Sequence, residues 1–105
     1  MKVLVVSAAS QEGHRLVRTL VDEGLIACGN VIPGVTAIYR WRGELCEENE
    51  ALLWMECSDR LATDALARIT ELHSYEVPKI LVLEPCDALA AYAKWVEDAA
   101  GHEKG

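Results

Sequence analysis

The sequence predicts an α+β sandwich, an antiparallel sheet with helices on one face, in the order βαββαβ followed by a C-terminal helix. Three observations carry this. Two short apolar runs, Lys2 to Ala8 and Lys79 to Leu83, read as buried strands. Apolar residues at helical spacing follow the first run and precede the second. Between them lies a long hairpin-forming stretch, Val31 to Leu45, with a returning strand at Ala51 to Cys57. Two βαβ-like halves joined by a hairpin make a ferredoxin-like sandwich.

The elements follow in order. After the first strand, Ser10 is placed to cap a helix and Glu12 lies in its first turn, where the helix dipole favours an acid. Leu16, Val17, Leu20 and Val21 form its apolar stripe, and Gly24 stops it. Ala27 to Ile32 opens the second strand. Pro33 has no N–H to give a ladder, so the strand must be bulged or at an edge there, and Gly34 supplies the freedom a bulge needs. Beyond it Val35, Ala37, Tyr39 and Trp41 point one way, and Thr36, Ile38, Arg40 and Arg42 the other. Gly43 lies near the tip. Ser58 or Asp59 caps a second helix with Leu61, Ala65, Ile69 and Leu72 on its buried face. The loop His73 to Pro78 leads to the last strand. Pro85 ends that strand, and Asp87 caps a third helix that buries Leu89, Tyr92, Ala93 and Val96. The tail from Gly101 to Gly105 is polar and expected to fray.

This hairpin is too long for so small a domain to cover. Tyr39 and Trp41 on its outer half are costly to leave in water. The expectation is that other copies of the chain cover them, with Val35, Tyr39 and Trp41 at the interface. Two ordinary strands with surface aromatics are the plainer alternative.

Residues 1–105 suit one compact domain, and an apolar fraction of 51% is enough for a core. A net charge of −7 makes nucleic acid a poor partner, because phosphate binding needs clustered Lys and Arg. Arg40 and Arg42 are the nearest approach to a cluster, and Glu44, Glu47, Glu48 and Glu50 follow them. That acidic set reads as a solvated tip. No run is long enough to span a bilayer, so no membrane role is expected. Cys28, Cys46, Cys57 and Cys86 form no C-x-x-C pair, which argues against a zinc ribbon and for free thiols in the cytoplasm. Cys57 and Cys86 read as packing residues.

The strings Ala27-Cys28, Asn30 to Trp41, Gly43, His73 to Pro78 and Tyr92 to Trp95 together resemble the CutA divalent-cation-tolerance family over nearly the whole chain. The resemblance implies a ferredoxin-like homotrimer whose hairpins reach neighbouring subunits. It implies a link to tolerance of copper and other divalent cations, and a likeness to the PII signalling proteins. Family members commonly carry Pro where this chain has Ser74. Metal-binding members associate ligands with positions matching Ser7, Leu72 and His73; of these only His73 holds a soft or borderline metal well. The family's Lys and Glu are reversed here as Glu56 and Lys79, which implies an ion pair within a subunit or across the interface.

His73 ends a helix, so it serves either the helix carbonyls or a metal such as copper. Tyr75, Glu76, Lys79, Glu56 and Trp95 are the residues expected to line a ligand cleft. No enzyme motif is present: there is no G-x-S-x-G, no H-E-x-x-H and no phosphate-cradling glycine loop. A phosphatase of the acylphosphatase type would need an Arg in Ser7 to Glu12, and there is none. The leading expectation is a non-enzymatic trimer that binds divalent cations or a small ligand between subunits. The alternative is a PII-like regulatory or scaffold trimer that acts through a partner protein.

Overall fold

The computed structural model describes residues 1–99, and the expected frayed tail lies outside them. The strands are β1 (Lys2–Ala9), β2 (Cys28–Trp41), β3 (Glu44–Cys57) and β4 (Ile80–Leu83). The helices are α1 (Ser10–Asp22), α2 (Ala62–Leu72) and α3 (Ala90–Ala99), with a single 3-10 turn at Asp59–Leu61 before α2. The sheet order is β2-β3-β1-β4, and every neighbouring pair is antiparallel. This is the expected βαββαβ arrangement with an added helix.

Strand alternation divides the sheet into two faces. Leu4, Val6 and Ala8 of β1 and Leu53 and Met55 of β3 point toward α1 and α2. There they pack with Leu16, Leu20, Ala65 and Ile69 to form the core. The opposite, open face carries Val5, Leu52 and Trp54, and along the arm Val35, Tyr39 and Trp41.

Pro33 and Gly34 form the expected bulge. Ile32 pairs with Leu52 and Val35 with Glu50, so two residues of β2 stand against Ala51 alone. Gly34 takes φ of 69°, a left-handed value that costs a glycine little. The bulge resets the phase of β2, which keeps Val35, Ala37, Tyr39 and Trp41 on one face. At the tip Trp41 pairs with Glu44 across Arg42 (φ 52°) and Gly43 (φ 84°). Two positive φ values in a two-residue loop make a type I′ turn, whose twist matches the strands it joins. The returning strand begins at Glu44, not Ala51, because pairing with β2 holds the acidic run extended.

The three helix starts differ from expectation. Strand β1 runs directly into α1, so Ala9 occupies the cap position and Ser10 is already helical. The α1 end is as expected: Gly24 donates to Val21 and Leu25 to Leu20, which is a Schellman closure. Neither Ser58 nor Asp59 caps α2. Ser58 is fully buried with no partner for its hydroxyl among the described residues, and Asp59 turns to the Met1 ammonium at 2.7 Å. Asp87 accepts from the N–H of Ala88, and α3 starts only at Ala90. Of its expected buried face only Val96 is buried; Leu89 is exposed. Cys86 is also exposed, whereas Cys57 is buried as expected.

Candidate functional site

A groove of about 680 Å³ runs between the open face of the hairpin arm and the loop that follows α2. The loop's position is set by hydrogen bonds to three separate elements. His73 closes α2 by donating its N–H to Ile69, then turns extended. Its imidazole points inward. Nε2 lies 2.7 Å from the carbonyl of Ser7 on β1, and that contact requires Nε2–H to donate. Nδ1 accepts the N–H of Tyr75 at 3.1 Å. The ring is thus the neutral tautomer with both nitrogens engaged. Next to it the Glu12 carboxylate of α1 accepts both the N–H of Ser74 (3.0 Å) and its hydroxyl (3.1 Å). A proline at position 74 could make neither bond.

The loop's third anchor reaches the arm. Tyr75 donates its hydroxyl to Glu50 on β3 at 2.5 Å. Burial first, and the Glu50 carboxylate second, push that phenol well above its ordinary value of 10.0. Further out, Tyr39 donates to Glu48 at 2.6 Å, and this bond is the main reason its phenol is pushed up to about 12. At the tip Arg42 pairs with Glu76 at 3.2 Å, where both are exposed to solvent. That pair contributes little to stability.

The expected site residues separate into two groups. Tyr75, Glu76 and Lys79 line the groove together with Val35, Tyr39 and Trp41. Glu56 and Trp95 do not. Glu56 stands opposite Val3, whereas the Lys79 carbonyl accepts from Ser7, four residues along the same strand. Four residues of strand span about 13 Å. Glu56 is 8% exposed and accepts the hydroxyl of Tyr92 at 3.0 Å. Trp95 stacks on Tyr92 with ring centres 5.7 Å apart. Within the chain there is no Glu56–Lys79 ion pair among the described residues, and that form of the expectation is corrected: the two sit at opposite ends of the open face.

Both nitrogens of His73 are engaged in the folded chain, so a metal there would have to displace one of these hydrogen bonds. No group of three or more His, Cys, Asp or Glu side chains that could hold a metal occurs among the described residues. The described residues of a single chain therefore offer no ready-made metal site.

Three participants escaped the sequence reading: Glu12, the Ser7 carbonyl, and Glu50. The last was read as part of a solvated tip, yet it is 4% exposed. Its signal was available in alternation, since Glu50, Leu52 and Trp54 share a face.

Comparison with known proteins agrees with this architecture. A model of the family described as CutA1 divalent ion tolerance protein matches residues 1–99. The divalent-cation tolerance protein CutA of Thermus thermophilus is 35% identical over 95% of this chain and 98% of its own. A chloroplastic CutA protein of Arabidopsis thaliana is 28% identical over 92% of this chain, which spans about half (54%) of that longer relative. Among solved structures, a PII-like protein CutA from Nostoc sp. PCC 7120 in apo form superposes with a TM-score of 0.91. It is 36% identical and covers 95% of this chain and 97% of its own. The sequence strings, the four-stranded sheet and these matches lead to one assignment: the chain belongs to the CutA1 divalent ion tolerance family.

Proposed function

We propose that the chain acts in divalent-cation tolerance as a cytoplasmic, non-enzymatic homotrimer. It takes a divalent cation, copper first among them, or a small ligand in clefts between subunits. The observation that carries this reading is the groove beneath the arm. It opens onto a sheet face where Tyr39, Trp41, Trp54 and Leu81 remain exposed. An apolar face of this kind, on a domain of this size, favours burial against another copy. A neighbour seated there, with Val35, Tyr39 and Trp41 at the contact, would close the open side of the groove.

The described residues of a single chain form no metal-holding cluster, so on this reading a cation takes donors from two copies. Glu56 and Trp95 are the residues a neighbour would bring to the rim formed by Tyr75, Glu76 and Lys79. Neither Glu56 nor Lys79 has an oppositely charged partner among the described residues. Across a subunit boundary the two charges would satisfy each other.

The test is calorimetric titration with Cu(II), Cu(I) and Zn(II) on protein whose mass is followed by sedimentation equilibrium. Trimeric protein that binds metal at a fixed ratio per trimer is the expected result. A dilute chain that stays fully folded as a monomer would overturn the reading. The second reading, a PII-like regulator acting through a partner protein, is favoured by the likeness to the PII-like Nostoc protein and by the exposed Val77 on the loop. A protein co-purifying with the trimer, lost on Val77→Asp, would support it.

A further inference from the structure

We propose that the ligand of the groove is an organic cation, an ammonium group on an apolar or aromatic body, held by Glu50 among the rings of Tyr39, Trp41 and Tyr75. The proposal deepens the cleft reading above and rests on it.

Glu50 is the starting point. Its carboxylate is buried, and its hydrogen-bond donor is the neutral phenol of Tyr75 on Oε2. No ammonium, guanidinium or imidazolium among the described residues pairs with it. A carboxylate withdrawn from water is ordinarily matched by a cation, because a neutral donor does not offset the charge. Among the described residues of the chain itself the counter-charge is missing, and Glu50 lines the groove.

The walls point the same way. Tyr39, Trp41 and Tyr75 offer aromatic rings to the groove, with Val35 and Leu52 as apolar neighbours. Aromatic faces attract a cation through their quadrupole and attract an organic body by ordinary apolar contact. The volume, about 680 Å³, suits a small molecule. Glu48 adds a second carboxylate beside Tyr39.

The other occupants fit less well. A bare metal ion requires several oxygen donors at close range. Glu48 and Glu50 each already give one oxygen to a tyrosine, Glu76 gives one to Arg42, and no three-donor cluster forms among the described residues. An anion would meet Glu48, Glu50 and Glu76, with Lys79 alone in its favour.

The experiment is calorimetric titration of the full chain, as it assembles, with phenethylammonium, 2-phenylethanol, phenylacetate, and Zn(II) and Cu(II) alone. Phenethylammonium should bind saturably and at least about tenfold more tightly than the alcohol, since losing one buried charge partner is worth that much. Phenylacetate should bind least. Glu50→Gln keeps the shape of the side chain; it should remove the preference for the ammonium and leave the affinity for the alcohol unchanged. Circular dichroism and sedimentation matching the parent protein would show that the variant folds and assembles. Equal affinity for ammonium and alcohol, no ammonium binding, or a preference that survives Glu50→Gln would overturn the proposal. Saturable metal binding without ammonium binding would overturn it while leaving the cleft reading intact. An assembled trimer that binds none of the probes would remove both.

Discussion

The hydroxyl of Tyr75, on the loop after α2, stands 2.5 Å from the carboxylate of Glu50, the residue of β3 that resumes pairing with β2 just past the bulge. One hydrogen bond thus joins the loop to the base of the arm. Tyr75→Phe keeps the ring and deletes the donor. Glu50 then remains buried with no donor among the described residues, which costs about 1–3 kcal/mol. Urea denaturation should show a lower midpoint with the same slope, since the surface exposed on unfolding is unchanged. An unchanged midpoint would mean that water replaces the phenol.

His73 sits two residues earlier and makes a different prediction from a metal ligand in its place. Its imidazole joins the Ser7 carbonyl to the Tyr75 N–H, so His73→Ala takes a partner from each of two part-buried backbone groups. Stability should fall by about 1–3 kcal/mol. Any Cu(II) or Zn(II) stoichiometry that the parent protein shows should be unchanged in the variant. A drop in metal stoichiometry without a loss of stability would restore His73 as a ligand.

These contacts mark where a linear reading stops. Pro33, Gly34 and Gly43 could be read correctly because their effects are local: a missing donor and permitted positive φ act wherever the residue stands. The length of β3 could not. Glu44 to Glu50 has no strand propensity of its own and becomes extended by pairing with β2. His73 and Ser7 are 66 positions apart, so only the fold could bring them together. The caps at Ser10 and Ser58 failed for a related reason. A polar residue at a helix start caps only if the chain turns there, and at Ala9 the strand passes straight into the helix.

Alkaline pH gives a third prediction. The Tyr39 phenol is raised from 10.0 to about 12, chiefly by Glu48. Burial raises the Cys57 thiol from 9.0 to about 11. In both cases the folded chain favours the protonated, neutral form. Their contribution to stability is therefore complete below the unfolded values. It is lost as pH climbs through the folded ones, from about 9 to about 12. Denaturation at a series of pH values should show stability falling across that window. Tyr39→Phe should flatten its upper part and Cys57→Ala its lower part.

Gly29, on β2 beneath α1, tests how closely the helix lies on the sheet. A Cβ there would stand 2.6 Å from Cγ1 of Val17 and 3.1 Å from Cγ of Met55. Val17 is β-branched and in a helix has little freedom to turn aside. Gly29→Ala should therefore push α1 outward and cost about 1–3 kcal/mol by overpacking. Thermal unfolding compared with the parent would register it. An unchanged Tm would show that α1 shifts freely.

Trp41 closes the turn of the arm opposite Glu44, with the Arg42 guanidinium 5.4 Å from its ring centre. It is 40% exposed on the open face and belongs to no part of the chain's own core. Trp41→Glu should accordingly leave the single domain folded, with its far-ultraviolet circular dichroism unchanged. If the proposed trimer forms, what it should destroy is the cover that a neighbouring copy would provide, because a carboxylate at that contact must be desolvated beside Glu44 and Glu48. Sedimentation should move from trimer toward monomer. The Tm should fall and become dependent on protein concentration, as it must when folding is linked to association. If the variant sediments and melts like the parent, the arm is a free appendage, and the groove beneath it has only the walls of one chain.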